Sequence, residues 1–465
     1  MELTLFNTLT RSEDLFRPME HPKVGLYTCG PTVYNYLHVG NYRTYIFEDV
    51  LRRSLEFSGY SVRHVMNITD VGHLTSDADE GEDKLELGAA RLGKTAWEVA
   101  EFYTKTFIED SKLLNLLAPH VLCKATDHIS EQIELIRRVE SKGFTYVITD
   151  GVYFDTSKFP GYGKLMGTAH KEGLRAGARV EANPEKRNST DFALWKLSPT
   201  GRKRQMEWPS PWGVGFPGWH IECSAMAMKY LGETFDIHCG GVDHIPIHHT
   251  NEIAQAEGAT SKPFVRWWMH GEFLLMNNAK MAKSAGGFIR LKDLMDKSYD
   301  PLDYRYLCYG AHYRKQLDFS GEALDAARVA RRRLRERALA LERETRMSGD
   351  SQGLEGYLRR FKSCLADDLD MPGALAAVWD ALKPGAFSPG SQLAMLKEAE
   401  RVLGLGLFEV GQPQELTAEM LALIDKRRQA RQGKDFAAAD AFRRELSEKG
   451  ILVEDTKDGQ KWRRK

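Results

Sequence analysis

GWHIECSAMAMKYLGETFDIHCGGVDHIPIHHTNEIAQ, residues 218–255, holds two cysteines, five histidines, a Gly-Gly-x-Asp turn and a closing His-His-x-x-Glu. Two helices separated by a loop are expected here. Cys223 opens CSAMAMKYLG, whose apolar spacing is helical and which stops at Gly232. His248 opens the second, HHTNEIAQAEGA, where His248 and Glu252 stand four apart and share a face. An imidazole, a carboxylate and a thiolate suit zinc, which accepts N, O and S ligands. No Cys-x-x-Cys spacing is present, so burial of the cysteines as small hydrophobes and an ordinary surface His/Glu pair are the competing reading.

Working outward, the segment from Val24 to Val71 reads as strand, Gly/Pro loop, amphipathic helix, Gly-containing turn and strand, a βαβ unit that places ligands at the carboxyl ends of its strands. Cys29, Gly30 and Pro31 lie in the loop, and His38-Val39-Gly40-Asn41 falls at the helix N-terminus. Glycine there admits a ligand close to the backbone, and the free N–H groups favour phosphate. His38 as a plain helix cap is the alternative. Neither GxGxxG nor the Walker loop is present. Residues 83–143 have a helical pattern, a β-rich piece follows, and about 120–205 reads as an insertion between two halves of one sheet.

Lys280 and Lys283 flank Met281 on a Gly/Ser-rich loop beyond a turn at Asn277 and Asn278, where they could clamp a polyphosphate. Residues 320–404 are helical and charged, and the arginine run from Arg331 to Arg337 reads as a solvated face. KPGAFSPGS and EVGQPQE mark linkers. From Leu416 a helical pair precedes a small β element with an exposed Trp462 among basic residues, a composition suited to stacking on unpaired bases.

The bulk properties narrow the rest. The chain has 465 residues, 42% hydrophobic and 28% charged, with a formal net charge of zero, so any nucleic-acid binding must come from local patches. Six scattered cysteines do not form a disulfide framework. MELTLFNTLTRSEDL has no apolar segment of a signal peptide, and no run spans a bilayer, so a cytoplasmic protein without membrane association is expected.

With these residues laid out, the chain resembles the cysteinyl-tRNA synthetases, class I aminoacyl-tRNA synthetases, along nearly its whole length. YTCGPTVYNYLHVGN, NITDV, ATDHI, SPWGVGFPGWHIECSAM, HHTNEIAQ, KMAKS, AHYRKQLDFS and EDTKDGQKWR occur in the family's order. The resemblance implies an α/β fold: a Rossmann-like parallel-sheet catalytic domain over 1–300, a helical bundle domain contacting tRNA over 301–405, and a small C-terminal mixed α/β domain binding the anticodon over 416–465. It implies Cys29, Cys223, His248 and Glu252 as ligands of one zinc ion. His38 and Asn41 take the HIGH-like positions, Lys280 and Lys283 the KMSKS-like ones, and Gly40 joins His38 at the phosphates. Gly240, Gly241 and Asp243 would contact adenosine, and Thr69 and Trp219 the bound L-cysteine.

Three residues depart from the family pattern. Asn41 replaces the final His of HIGH but can still donate from its amide. Ala282 replaces the first Ser of KMSKS, and Thr250 replaces a Glu lying off the face shared by His248 and Glu252. The expected reaction joins cysteine to ATP, with Mg2+, as cysteinyl-adenylate, then transfers it to the 3′ end of tRNA(Cys), zinc selecting the thiolate. A monomer is expected. The alternatives are a small-molecule cysteine ligase of the mycothiol type, which lacks the C-terminal piece, and a non-catalytic tRNA-binding paralogue.

Overall fold

In the computed structural model an antiparallel pair, β1 (Thr4–Asn7) and β2 (Ser12–Leu15), precedes β3 (Lys23–Thr28), β4 (Ser61–Ile68), β5 (Val121–Lys124), β10 (Phe235–Gly241) and β11 (Val265–Gly271), which form one parallel sheet in the order β11-β10-β3-β4-β5. The structure describes residues 1–71, 74, 81–167, 183–199, 201, 203–276, 279–280, 288–345, 354–409, 418–449, 451–456 and 459–464. Two compact units divide the chain, Met1–Leu407 and Phe408–Lys465.

A parallel sheet must be covered on both faces, so its strands read as nearly continuous apolar runs. Val24, Leu26, Val65, Ile68 and Ile237 are accordingly buried, each contributing about 1.5–3 kcal/mol by leaving water. Helix α1 (Val39–Phe57) is the crossover from β3 to β4. Its residues Phe47, Leu51 and Leu55 pack with Leu26, Ile237 and Met269 in one cluster. The chain runs outward from β3 through β4 to β5, then returns to the other side of β3 for β10 and β11. Neighbouring strands β3 and β10 therefore lead their connections in opposite directions, which opens a crevice at their carboxyl ends.

Two expectations change here. VLCK, residues 121–124, is a strand inside the stretch that reads as helical, with α2 (Lys84–Leu92), α3 (Ala96–Leu113) and α4 (Ile129–Ser141) around it. Four residues cannot display a period, so the flanking helices dominate the pattern. The expected loop between the two helices of the central stretch is strand β10, buried on both faces, which removes the alternation that would mark it.

Between β5 and β10 the chain builds a separate antiparallel sheet from β6 (Thr145–Ile148), β7 (Gly151–Phe154), β8 (Phe192–Leu197) and β9 (Gly215–Pro217). Phe154, Phe192 and Trp195 pack it onto α4 and onto Ile221 and Ala225 of α5 (Trp219–Leu231). Past β11, β12 (Leu274–Met276) pairs antiparallel with β13 (Ala279–Lys280) and parallel with β14 (Leu317–Asp318).

The rest of this unit is helical: α6 (His248–Thr260), α7 (Leu291–Asp296), α8 (Pro301–Cys308), α9 (Gly321–Thr345), α10 (Leu354–Ala366), α11 (Met371–Ala381) and α12 (Pro389–Leu403). KPGAFSPGS proves to be a tight corner within the unit, where Ser388 caps α12 and Pro389 starts it. Arg331 is not on a solvated face. It is buried, with its guanidinium 3.1 Å from Asp303 and donating to Leu405 O at 3.0 Å. The strongest tie is Arg305 of α8, fully buried, which ion-pairs with Asp49 of α1 and donates to the carbonyls of Leu403, Leu114 and Asn115. Asp49 would be raised by burial, but Arg305 and Arg53 overcome this and hold it below its ordinary value.

The second unit holds α13 (Ala418–Gln432), α14 (Phe436–Glu448) and a hairpin of β15 (Ile451–Thr456) and β16 (Gly459–Arg464) around Leu423, Ile424, Leu446, Ile451 and Val453. Arg427 is buried at Asp455, 2.8 Å away, while Trp462 is 43% exposed. EVGQPQE lies mostly outside the described residues.

Candidate active site and metal centre

Cys29 stands directly after β3, Cys223 one turn into α5, and His248 and Glu252 on the first turns of α6. One ligand atom from each of these four lies within 4.8 Å of every other, and all four residues are buried. They converge because β3 and β10 end side by side and both helices pack over that edge. Gly30 makes the approach possible: a Cβ there would fall 1.6 Å from Asn67 O, so only glycine lets the loop after β3 run against β4. Gly240 has a similar role, since its Cβ would meet His244 Nδ1 at 2.5 Å and the His249 ring at 2.8 Å.

The donor set fits a metal on two grounds. Oε1 of Glu252 is buried without a hydrogen-bond partner although His248 Nε2 lies 3.0 Å away, an arrangement that leaves two ligand atoms facing a common point. The electrostatics also hold two of the four ligands, Glu252 and Cys223, in the ionised form. Burial would raise Glu252, but His238 and His248 overcome it and lower its pKa to about 2. Burial likewise opposes ionisation of Cys223, yet the adjoining Cys29 thiol and His248 bring it down to about 6. Cys29 is pushed up by burial and by Cys223. His248 is raised to about 10 against the effect of burial by Glu252 and Cys223, and it would give up this proton to a metal, whose charge would replace it among these acids.

Sequence reading missed the shell around these four. Cys29, His238, His249 and Glu252 form an overlapping set with the same mutual reach. His238 Nε2 lies 2.9 Å from Glu252 Oε2. A buried chain runs from Thr8 Oγ1 to His270 Nδ1 (2.8 Å), His270 Nε2 to His249 Nδ1 (2.8 Å) and His249 Nε2 to Cys29 Sγ (3.3 Å). Burial holds both His249 and His270 well below the ordinary imidazole range, so they are neutral partners. The repeated histidine at 249 and the one in WWMHG were visible, but no spacing rule joins them. Cys239 is fully buried in the core beside Leu5 and Met269.

His38 is the N-cap of α1. Its Nδ1 accepts from Asn41 N (3.2 Å), and its own N–H donates to Asn41 Oδ1 (3.1 Å). Asn41 thus completes a reciprocal cap, and the cap requires the tautomer with its proton on Nε2. Gly40 fits under the ring, where a Cβ would lie 2.9 Å from Nδ1. Trp219, the first residue of α5, stacks on His248 with centroids 4.6 Å apart. Thr69 is buried after β4 and accepts from Asn67 Nδ2 at 3.1 Å. Gly240 and Gly241 end β10, and Asp243 lies in the following turn. Glu222 is fully buried next to Cys223; burial, then Cys223 and Asp70, push it well up against the opposing effect of the Thr69 hydroxyl. Lys280 closes β13. Lys283, Ala282 and the turn at Asn277 and Asn278 lie outside the described residues.

Comparison with known proteins decides the family. The model of the class I (C) tRNA synthetase catalytic domain matches residues 15–329, and that of the cysteinyl-tRNA ligase anticodon binding domain matches residues 414–463. The chain belongs to the cysteine–tRNA ligases. It is 50% identical to "Cysteine--tRNA ligase 1" of Burkholderia lata over 99% of this chain and 97% of that one. It is 44% identical to the cysteine–tRNA ligase of Treponema denticola over 100% of both. Among solved structures, the methionyl-tRNA synthetase of Mycobacterium tuberculosis bound by methionyl-adenylate superposes with a TM-score of 0.55 at 16% identity, over 90% of this chain and 96% of that one. A LeuRS of Agrobacterium radiobacter in ternary complex with tRNA and LeuAMS gives 0.58 at 11% identity, over 84% of each. At such identities these two show the fold alone. Family membership makes the chain an aminoacyl-tRNA synthetase, and the full-length coverage does not favour the small-molecule ligase or the non-catalytic paralogue. Among the described residues no helix is long and apolar enough to cross a membrane.

Proposed function

We propose that Cys29, Cys223, His248 and Glu252 hold one zinc ion at the carboxyl edge of the sheet, and that this centre selects L-cysteine for activation with ATP. The convergence of the four buried donor atoms within 4.8 Å carries the reading. Zinc, when bound, prefers the soft sulfur of cysteine to the hard hydroxyl of serine, whereas apolar walls distinguish small side chains by only about 1–3 kcal/mol. Trp219, stacked on His248, and Thr69 bound the space for the amino acid. The imidazole ring of His38 offers an Nε2 proton at the N-terminus of α1, where anionic phosphate is favoured. Gly40 lets that phosphate approach, and Gly240, Gly241 and Asp243 receive the adenosine.

Activation needs mainly positioning and neutralisation of spread charge. The carboxylate oxygen of cysteine attacks the α-phosphorus of ATP, which enters with Mg2+, and pyrophosphate leaves; His38, Asn41, Lys280 and Lys283 are proposed to balance its charge. The terminal ribose hydroxyl of tRNA(Cys) then takes the cysteinyl group, and AMP leaves. Residues 1–300 supply the catalytic domain, 301–405 contact the tRNA, and 416–465 read its anticodon. One chain furnishes all four donors, which supports a monomer, and we place its activity, with the tRNA it serves, in the cytoplasm.

ATP-dependent attachment of cysteine to tRNA, with serine as control and zinc content measured on the same sample, tests this. Selective charging by protein with one zinc per chain is expected. Equal use of serine, or full selectivity without zinc, would overturn the assignment.

A further inference from the structure

Away from the metal centre, α1, α3 and strands β4 and β5 enclose a cavity of about 160 Å³. Tyr45, Met66, Phe107 and Leu122 give it mostly apolar walls, and Glu48, His64 and Ser111 also line it. These three polar groups are unusual. Glu48 is 1% exposed and neither carboxylate oxygen has a hydrogen-bond partner; His64 is 3% exposed with Nδ1 unpartnered; and Ser111 Oγ is buried without one. Arg52 and Asp49, which line the same space, are already ion-paired with Glu56 and with Arg53 and Arg305.

A buried polar atom without a partner costs about 1–3 kcal/mol, so three around one cavity mark a place where a partner belongs. A water could bridge these polar groups, but it would leave the larger, hydrocarbon-lined part of the space unfilled. The volume suits one ring: an engineered cavity of about 150 Å³ in another protein takes benzene. Among the described residues Glu48 forms no ion pair, although Arg52 and Lys112 also line the space, and burial pushes its carboxyl well above the ordinary range, so it meets a ligand as a neutral acid. His64 is held at about 3 by burial and then by Arg52, so it too is neutral.

We propose that this cavity is a binding site for a neutral, single-ring aromatic molecule with one hydrogen-bonding group, which docks on Glu48, His64 and Ser111 while the ring fills the apolar part. The activation and transfer steps proposed above use none of these groups, although Glu48 lies near enough to Cys29 to raise its thiol.

Phenol, toluene and benzylamine titrated into the full chain, followed by calorimetry and by methyl-group NMR, test the proposal. Saturable binding of phenol is expected, with Met66 and Leu122 shifting most. Glu48→Leu should weaken phenol at least tenfold and strengthen toluene, whereas Glu48→Gln should hold phenol within about threefold. Absence of saturable phenol binding, an unchanged phenol affinity in Glu48→Leu, or preference for benzylamine would each overturn it. Should Glu48→Leu not fold, phenol soaked into crystals of the unaltered chain decides: density within hydrogen-bond reach of Glu48 supports the site, and density elsewhere or none refutes it.

Discussion

Nε2 of His238 lies 2.9 Å from Oε2 of Glu252, and both side chains are fully buried. His238 thus fixes the carboxylate whose other oxygen faces His248. Outer partners of this kind typically govern metal affinity by 10- to 100-fold. His238→Gln should lower zinc affinity by about that factor, read by competition with a chromophoric chelator, while Cys223→Ser should abolish stoichiometric zinc. If His238→Gln abolished zinc and Cys223→Ser retained it, the overlapping set with His238 and His249 would be the true ligand set.

His38 combines a cap with a proposed phosphate contact, and the two can be separated. Asparagine serves an N-cap as well as most residues do. His38→Asn should therefore keep stability within about 0.5 kcal/mol, yet lower the rate of cysteine-dependent pyrophosphate exchange by about 10²–10³, the usual effect of removing one charge-stabilising donor. An unchanged exchange rate would leave His38 as a cap only.

Arg305→Ala leaves the buried Asp49 with Arg53 alone and takes the side-chain donor from Leu114 O, while Leu403 O keeps the Tyr309 hydroxyl and Asn115 O keeps Arg53. Because Arg53 still compensates the carboxylate, the expected cost is that of a lost hydrogen bond to a charged group, about 1.5–3 kcal/mol. The midpoint of urea unfolding should fall accordingly, and a loss under 1 kcal/mol would contradict the description of this contact.

The pH dependence of stability isolates Glu48. Its native pKa is raised by burial, so between the unfolded value of about 4.3 and the native value the folded chain holds one proton more than the unfolded one. Stability from this group is therefore greatest below about pH 4.3 and declines by up to about 1.4 kcal/mol per pH unit above it. His64, lowered to about 3, has the opposite sign: stability is lost as pH falls below about 6.5. In the overlap of these windows the two slopes oppose. Glu48→Gln should be more stable than the unaltered chain at pH 7, with the advantage shrinking as pH drops toward 4. An advantage independent of pH would contradict the neutral, unpaired carboxyl.

Much of the site was legible because its chemistry is local. His248 and Glu252 share a helix face, and a strand, a glycine-bearing loop and a helix announce Cys29 and His38. The class I family reading rests on motifs taken together in order, and the comparisons bear out the family. Strands β5 and β10 were not legible: one is too short for a period, and the other is buried on both faces. Nor was the histidine chain from Thr8 to Cys29, since it joins residues 262 and 220 positions apart along the sequence. The pairing of Asn41 with His38 was hidden too; as a departure from HIGH it read as a lost imidazole, whereas in place it completes the helix cap.

The four converging donors span residues 29 to 252, with more than two hundred residues between the first and the last. Chains grow from the N-terminus at roughly 5–20 residues per second. Cys29 therefore emerges at least about ten seconds before Glu252 exists, and for that interval its thiol belongs to a sheet lacking β10 and β11. On the proposed ligand set, metal uptake would record the moment at which β10 and the start of α6 have been made and have closed on the first half of the sheet, and a nascent chain stalled before residue 252 would not retain the ion.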